Sequence, residues 1–465
     1  MIMRYFIFAV AFLCTSLLSA QNLQVELDSL IHNSSFLRQG ETGICVYDRT
    51  TGTYIYRYRD MKNARPASNE KLLTCVAALD LLGADHPFTT TLYCDKFDNL
   101  YIEGGFDPEF GDEDMNVLVN AVTDMGIRKL KGYLFGDVSM TDEKYWGPGW
   151  AWDDTPYSFQ PYMSPLMFNK GCVDVVASLK RDGGINVSAY PASTYYQLEY
   201  KPSNGNFDIT RDWTNNKNVI YVTGTTDKDR KLDLNVYSSK DFFMHTFAER
   251  LLQAGVKAKH VRRMLNKSVP FEYVSRPLNN VVTVKTVSHP LSEVMAKCLK
   301  NSDNLNAEAI LKNYARKALN KTKGLTETDC ASALRWFVQN KLHLNPDDYR
   351  IADGCGLSPY NEISPYLLVE VLKYATRLPS FGTFYNALPV AGVDGTLSSR
   401  MRGTSAGNNV RAKTGTVTGV SSLSGYVTAR NGHQLIFSVM NRDFNNSKEA
   451  KDFENRVCLL LSNWQ

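Results

Sequence analysis

Three short runs hold the residues of this sequence that could do chemistry. Ser68-Asn69-Glu70-Lys71 places a hydroxyl and an amine three residues apart, Ser302-Asp303-Asn304 places a second hydroxyl near a carboxamide, and Lys413-Thr414-Gly415 adds a second amine. A serine hydroxyl becomes an effective nucleophile only when a base takes its proton. On a helix, residues three apart share a face, so Lys71 is positioned to reach Ser68. An ordinary lysine is protonated at neutral pH. Burial and a second cation nearby, a role Lys413 suits, would lower its pKa and free the amine as a base. Ser68 at a helix start would also sit among main-chain N–H groups that favour negative charge.

Each run is weak alone. A chain of 465 residues contains an S-x-x-K about twice by chance. Ser68 alone reads as a helix cap and Lys71 as a solvated lysine; Ser302-Asp303-Asn304 reads as a cap before Ala307-Glu308, and Lys413 as an edge-strand lysine. Together they describe serine acyl transfer. Ser302 would relay a proton between Lys71 and the leaving amine, and Asn304 would donate to the substrate carbonyl while accepting from Lys71. Gly415, at a strand end, would leave room for a substrate strand laid antiparallel to that edge. Lys413, Thr414 and Thr416 would hold a terminal carboxylate. The N–H groups of Ser68 and Thr416 would form an oxyanion hole, each donor worth about 3 kcal/mol in the transition state. No metal or other cofactor is expected: the seven histidines are dispersed, without H-E-x-x-H or clustered Cys/His spacing.

The elements that position these runs come from both ends of the chain. Thr42 to Tyr47 and Thr53 to Tyr58 predict a hairpin, and Leu72, Leu73, Val76, Leu79 and Leu82 predict a helix over 69–82, stopped by Gly83. Near the other end, 409–413, 421–429 and 433–441 predict three strands, with Asn431-Gly432 as a two-residue turn, followed by a helix over 447–464. Helices over 290–299 and 306–318 flank the second run. Neither end alone has enough strands for a covered sheet, so the economical fold is one antiparallel sheet built from both ends, with helices packed on it. The intervening stretch from about 85 to about 280 is then an insertion, with strands at 100–104, 132–137, 184–189 and 219–223 and a helix near 241–254.

Composition narrows the setting. Hydrophobic residues make up 43% and charged residues 22% with a net charge of +4, which describes a folded protein with no nucleic-acid footprint. Arg4 followed by the apolar run from Tyr5 to Leu18 predicts a signal peptide over 1–20, cleaved after Ala20, and hence an exported, periplasmic protein. No later run reaches membrane-spanning length. Of nine cysteines, Cys14 leaves with the signal; the rest form no C-x-x-C pair, and Cys75, Cys298 and Cys458 sit in helical apolar patterns that favour buried thiols.

The ordered trio is similar to the set shared by penicillin-binding proteins and class A β-lactamases. The chain resembles the S13 peptidase family, the penicillin-binding-protein-4-like D-Ala-D-Ala carboxypeptidases. Further segments carry the likeness: Gly105-Phe106-Asp107-Pro108, Pro148-Gly149-Trp150-Ala151-Trp152-Asp153-Asp154, Asp353-Gly354-Cys355-Gly356-Leu357-Ser358, the run from Leu388 to Leu397, and Leu423-Ser424-Gly425-Tyr426. Cys355 stands where the family usually has Ser, and Phe106 interrupts G-G-D-P. Neither is expected to touch the proton path.

The resemblance implies an α+β, transpeptidase/β-lactamase-like antiparallel sheet packed with helices, plus two smaller β-rich inserted domains. The catalytic domain would take residues 21–84 and 281–465, one insert 85–165 and 235–280, and the other 166–234. It also implies peptidoglycan peptides ending in D-Ala-D-Ala or D-Ala cross-links as substrates, β-lactams as covalent inhibitors, and Asp137 as reader of the substrate's diamino acid. A turn aspartate is the other reading of Asp137. A β-lactamase would carry the same trio but usually far fewer than the 234 positions between Ser68 and Ser302. A silent peptidoglycan-binding module would typically have lost Ser68, Lys71 or Lys413.

Overall fold

The computed structural model describes residues 22–465 except 182–183, 267–269 and 278, so the expected signal peptide lies outside the described residues. The chain divides into two compact units. The first comprises the chain up to Ala84, Met295–Asp303 and Ala331–Gln465; the second comprises Asp85–Val294 and Asn304–Cys330.

In chain order the first stretch holds α1 (residues 22–32), β1 (Glu41–Asp48), β2 (Thr53–Tyr58) and α2 (Glu70–Leu82). The next holds β3 (Pro87–Asp95), β4 (Leu100–Gly104), α3 (Asp112–Asp124), β5 (Leu134–Asp137), β6 (Cys172–Leu179), β7 (Ile185–Tyr190) and β8 (Gln197–Lys201). It continues with β9 (Asp208–Arg211), β10 (Val219–Thr223), β11 (Arg230–Asn235), α4 (Ser239–Gln253), α5 (Lys259–Leu265), β12 (Glu272–Tyr273) and β13 (Val281–Pro290). Then come α6 (Leu291–Lys300), α7 (Asn304–Ala318), α8 (Glu327–Asn340), α9 (Pro365–Ala375), α10 (Phe381–Ala387), β14 (Arg411–Val417), β15 (Val420–Thr428), β16 (Gln434–Arg442) and α11 (Ser447–Asn463).

The first unit is built on an antiparallel five-stranded sheet, ordered β14-β15-β16-β1-β2. Strands from the two ends of the chain meet where β1 pairs with β16, Ile44 opposite Val439. This is the sheet expected from the sequence. Its central strands are covered on both faces. On one face Leu423, Val427, Phe437 and Val439 pack with Leu23 and Leu27 of α1 and with Phe453, Val457 and Leu461 of α11. The other face of β15 carries Ser422, Ser424 and Tyr426, and Tyr426 Oη donates to the Leu372 carbonyl of α9 at 2.9 Å. Alternation of period two sends small hydroxyls to one side and aliphatic groups to the other. The hairpin between β15 and β16 is wider than the two-residue turn predicted. Ala429 N–H bonds to the His433 carbonyl at 2.8 Å, and Gly432 at φ 88° supplies the left-handed residue that such a loop needs.

The second unit holds a five-stranded sheet ordered β12-β5-β4-β3-β13 and two three-stranded sheets, β8-β10-β9 and β11-β6-β7. Two expectations change here. β13, assigned by sequence to the catalytic domain, pairs antiparallel along β3 from Val281 opposite Asp95 to Pro290 opposite Pro87. A ten-residue edge needs its partner strand, and that pairing holds it in this unit. The two expected inserts also share one core. Ile102 and Leu134, Val173 and Leu234, and Ile220 and Val222 come from the three sheets and join Leu118 and Phe247 of α3 and α4 in a single cluster.

Candidate active site

Ser68 lies in a single 3₁₀ turn, Ala67–Asn69, that leads directly into α2. Ala67 has φ 46°, a left-handed conformation costly for a residue with a β-carbon. The surrounding strands and loops enforce it. Ser422 Oγ of β15 donates to the Pro66 carbonyl at 2.6 Å, and Asn69 Nδ2 donates to the same Ser422 hydroxyl. Gly415 of β14 passes so close that a β-carbon there would lie 2.7 Å from the Pro66 carbonyl oxygen and 3.0 Å from Ser68 N. The face of β14 at Gly415 is therefore taken up by the serine turn. The run Lys413-Thr414-Gly415 also lies within β14, not at its end.

Lys71 is fully buried on the first turn of α2. Its Nζ donates to Ser68 Oγ at 2.9 Å and to the Cys355 carbonyl at 2.7 Å. Lys413 is also fully buried, and its Nζ donates to Ser302 Oγ at 2.9 Å and to the Thr414 carbonyl at 2.7 Å. Burial, followed by the charge of Lys71, pushes the Lys413 amine well below the ordinary lysine range. Four residues from three distant stretches thus form two amine–hydroxyl pairs. Ser302 has φ 62°, a second strained residue at a chemically useful position.

β14 is an edge strand. The Ala412 N–H bonds outward to the Pro389 carbonyl at 3.0 Å. Main-chain groups alternate sides along a strand, so the N–H groups of Thr414 and Thr416 also face away from β15. Thr416 is exposed, and Thr414 Oγ1 donates to Thr396 Oγ1 at 2.7 Å. The Thr416 N–H is one residue from Gly415, which packs on Ser68 N. An oxyanion hole requires two such main-chain donors directed at one point.

Two expected site residues belong to the second unit. Asn304 begins α7 instead of lying in the loop before it, and its amide donates to the Phe159 carbonyl at 2.8 Å. Asp137 ends β5 and is 3% exposed. One oxygen accepts from Ser139 N at 3.0 Å and the other from Arg276 N at 2.7 Å. That geometry is of an aspartate fastening a turn, and the reader role implied by resemblance gains no support from it.

Sequence reasoning missed what the 353–361 loop does. Asp353 is buried and accepts from Gly356 N at 2.7 Å, Ser358 N at 2.6 Å and Asn361 Nδ2 at 2.7 Å. Thr74 Oγ1 of α2 donates to the Gly354 carbonyl at 2.8 Å. This cage aims the Cys355 carbonyl at Lys71. Position 355 therefore does touch the proposed proton path, through a main-chain atom that every residue type supplies. The Asp353-Gly354-Cys355-Gly356-Leu357-Ser358 run had marked the loop, but no side-chain pattern reveals a carbonyl contact.

Fold and site together define a serine acyl-transfer enzyme of the transpeptidase-like class. A profile of the D-Ala-D-Ala carboxypeptidase 3 (S13) family matches residues 23–464, and the chain belongs to that family of serine peptidases. It is 29% identical over 445 residues to a D-alanyl-D-alanine carboxypeptidase from Actinomadura sp. strain R39, covering 90% of this chain and 80% of the relative. It is 26% identical over 409 residues to the D-alanyl-D-alanine carboxypeptidase DacB of Haemophilus influenzae, covering 84% and 82%. The crystal structure of penicillin binding protein 4 from Haemophilus influenzae shares the fold, with a TM-score of 0.78 at 22% identity over 94% of this chain and 99% of that one.

Proposed function

We propose that this chain is an exported, periplasmic D-Ala-D-Ala carboxypeptidase that hydrolyses peptidoglycan stem peptides through an acyl group on Ser68. Cleavage of D-Ala cross-links is the same chemistry with a longer leaving group. The observation that carries the reading is the pairing of Lys71 with Ser68 and of Lys413 with Ser302, each at 2.9 Å. The relatives supply the substrate class: both are named D-alanyl-D-alanine carboxypeptidases. Export rests on the sequence of residues 1–20. Among the described residues no helix is long and apolar enough to cross a membrane.

In the proposed cycle the Ser68 hydroxyl passes its proton to Lys71 along their hydrogen bond, with the donor and acceptor roles exchanged. The oxygen attacks the penultimate D-Ala carbonyl, and the N–H groups of Ser68 and Thr416 take the charge that develops on oxygen. The C–N bond breaks as the proton returns to the amine through Lys71 and Ser302, releasing D-Ala. Lys413 and Thr414 hold the terminal carboxylate. Water delivered by the same relay then cleaves the ester. β-Lactams enter the first half of this cycle and stall as the acyl enzyme.

A fluorescent penicillin should label the protein, and Ser68→Ala should not be labelled while keeping the parent's circular dichroism. A pentapeptide ending in D-Ala-D-Ala, assayed beside a cross-linked dimer, then ranks carboxypeptidase against endopeptidase action. Rapid penicillin turnover would instead indicate a β-lactamase. Folded protein that takes no label and releases no D-Ala would be a silent binding module.

A further inference from the structure

Cys75 and Cys298 face each other with their sulfurs 3.7 Å apart. Both are fully buried, both belong to the first unit, and the proposed cycle uses neither. Their positions matter because of what they flank. Cys75 lies on α2 four residues beyond Lys71, one turn along the same face. Cys298 lies in Met295–Asp303, four residues before Ser302. The two sulfurs thus meet behind the two runs that must stay in register for a proton to pass between them.

We propose that in the exported protein Cys75 and Cys298 are joined by a disulfide, which fastens the helix carrying Ser68 and Lys71 to the segment carrying Ser302. A disulfide needs its sulfurs about 2.05 Å apart, so from 3.7 Å they must close by less than 2 Å. Rotation about the two Cα–Cβ bonds, with whatever helix adjustment the Cα separation requires, is the motion that would close it. The bond forms when the two thiols give up two protons and two electrons. A thiol–disulfide oxidant of the export compartment accepts the electrons, and its own disulfide becomes two thiols. Both sulfurs are sealed from solvent once folded, so the exchange occurs during folding, before α2 and the 295–303 segment close on each other. The positions are 223 apart in sequence, so the cross-link constrains a very long stretch of the unfolded chain. The proposal rests on the export reading, because a reducing compartment would keep the thiols free.

The test is a cysteine map of the full chain secreted through the export route of a bacterial host. Protein denatured with iodoacetamide and without reductant should carry the label on six of its eight described cysteines and yield a linked peptide containing Cys75 and Cys298. Reductant should lower the melting temperature by several degrees, and Cys75→Ser should abolish that difference while leaving Cys298 open to alkylation. Full alkylation of both cysteines, in secreted protein and again after refolding in a mixture of glutathione and glutathione disulfide, would overturn the proposal. So would linkage of either cysteine to another partner. The map reads no catalytic event, so its outcome is independent of penicillin labelling.

Discussion

Gly356 lies against Ala67 so closely that a β-carbon on Gly356 would fall 1.8 Å from the Ala67 carbonyl oxygen. Gly356 is itself at φ 83°. The residue before the proposed nucleophile is thus held in its left-handed conformation by a glycine 289 positions away. Gly356→Ala adds both a backbone collision and a strained φ, which together cost more than about 3 kcal/mol. The expected result is a lower urea midpoint and loss of penicillin acylation. A variant that melts and labels like the parent would show that the contact does not shape the turn.

The Asp353 cage separates main-chain from side-chain roles at this loop. Lys71 donates to the carbonyl of Cys355, and Cys355 Sγ sits 3.6 Å from Asp353 Oδ2, where a serine hydroxyl could donate instead. Cys355→Ser should therefore acylate within about twofold of the parent. Asp353→Asn replaces one acceptor with an NH₂ group that faces a main-chain N–H donor, at a cost of about 1–3 kcal/mol. Second-order acylation rates with a fluorescent penicillin should stay level for the first variant and fall for the second. The opposite order would mean that the thiol, not the cage, matters.

The sheet was legible because each of its strands carries its own alternation and turn signals, and because two incomplete sets of strands require each other. The motif residues were legible because spacing on a helix and order along the chain survive without structure. Other features have no local signature. The left-handed Ala67 and Ser302 are imposed by neighbours, and the Cys355 carbonyl reaches Lys71 across 284 positions. The segment of β13 carried no strand reading in the sequence, and its nine-pair register with β3 assigns it to the second unit. Asn304 was named from its run with Ser302 and Asp137 from the resemblance, and the hydrogen bonds of Asp137 show how a turn can use the same carboxylate.

Lys413 gives a pH dependence of definite sign. Burial and the Lys71 charge hold its folded pKa well below the ordinary value, whereas in the unfolded chain it titrates near about 10.4. Between those two values the unfolded chain binds more protons, so this residue's contribution to stability rises with pH across the window and is lost as pH falls. Lys413→Met removes the titration. The stability of the variant relative to the parent should be most favourable near neutral pH and should decline towards about pH 10.4, measured by urea unfolding. A difference that does not vary with pH would mean that Lys413 keeps its proton in the fold.

Against the sheet, Arg400 and Glu454 make an ion pair that the proposed cycle does not use. Arg400 Nη2 donates to Glu454 Oε2 at 2.9 Å, with side-chain exposures of 13% and 0%. The other oxygen of Glu454 accepts from Ser421 Oγ at 2.6 Å and from Asn441 Nδ2 at 3.2 Å, tying α11 to β15 and β16. Burial pushes the Glu454 carboxyl up, and Arg400 opposes that rise. Arg400→Met leaves a buried carboxylate without its cation, which costs about 3–5 kcal/mol. With the cation gone the folded carboxyl rises further, and stability held by a raised carboxyl is present at low pH and lost as pH increases through the folded value. The penalty in Arg400→Met should therefore be smaller at acid than at neutral pH. Arg400→Met combined with Glu454→Gln should recover much of the loss at neutral pH, because the amide keeps an acceptor for Ser421 and carries no charge. A penalty of equal size at both pH values, with no recovery in the double variant, would assign the loss to packing of the arginine stem instead of to the charge it neutralises.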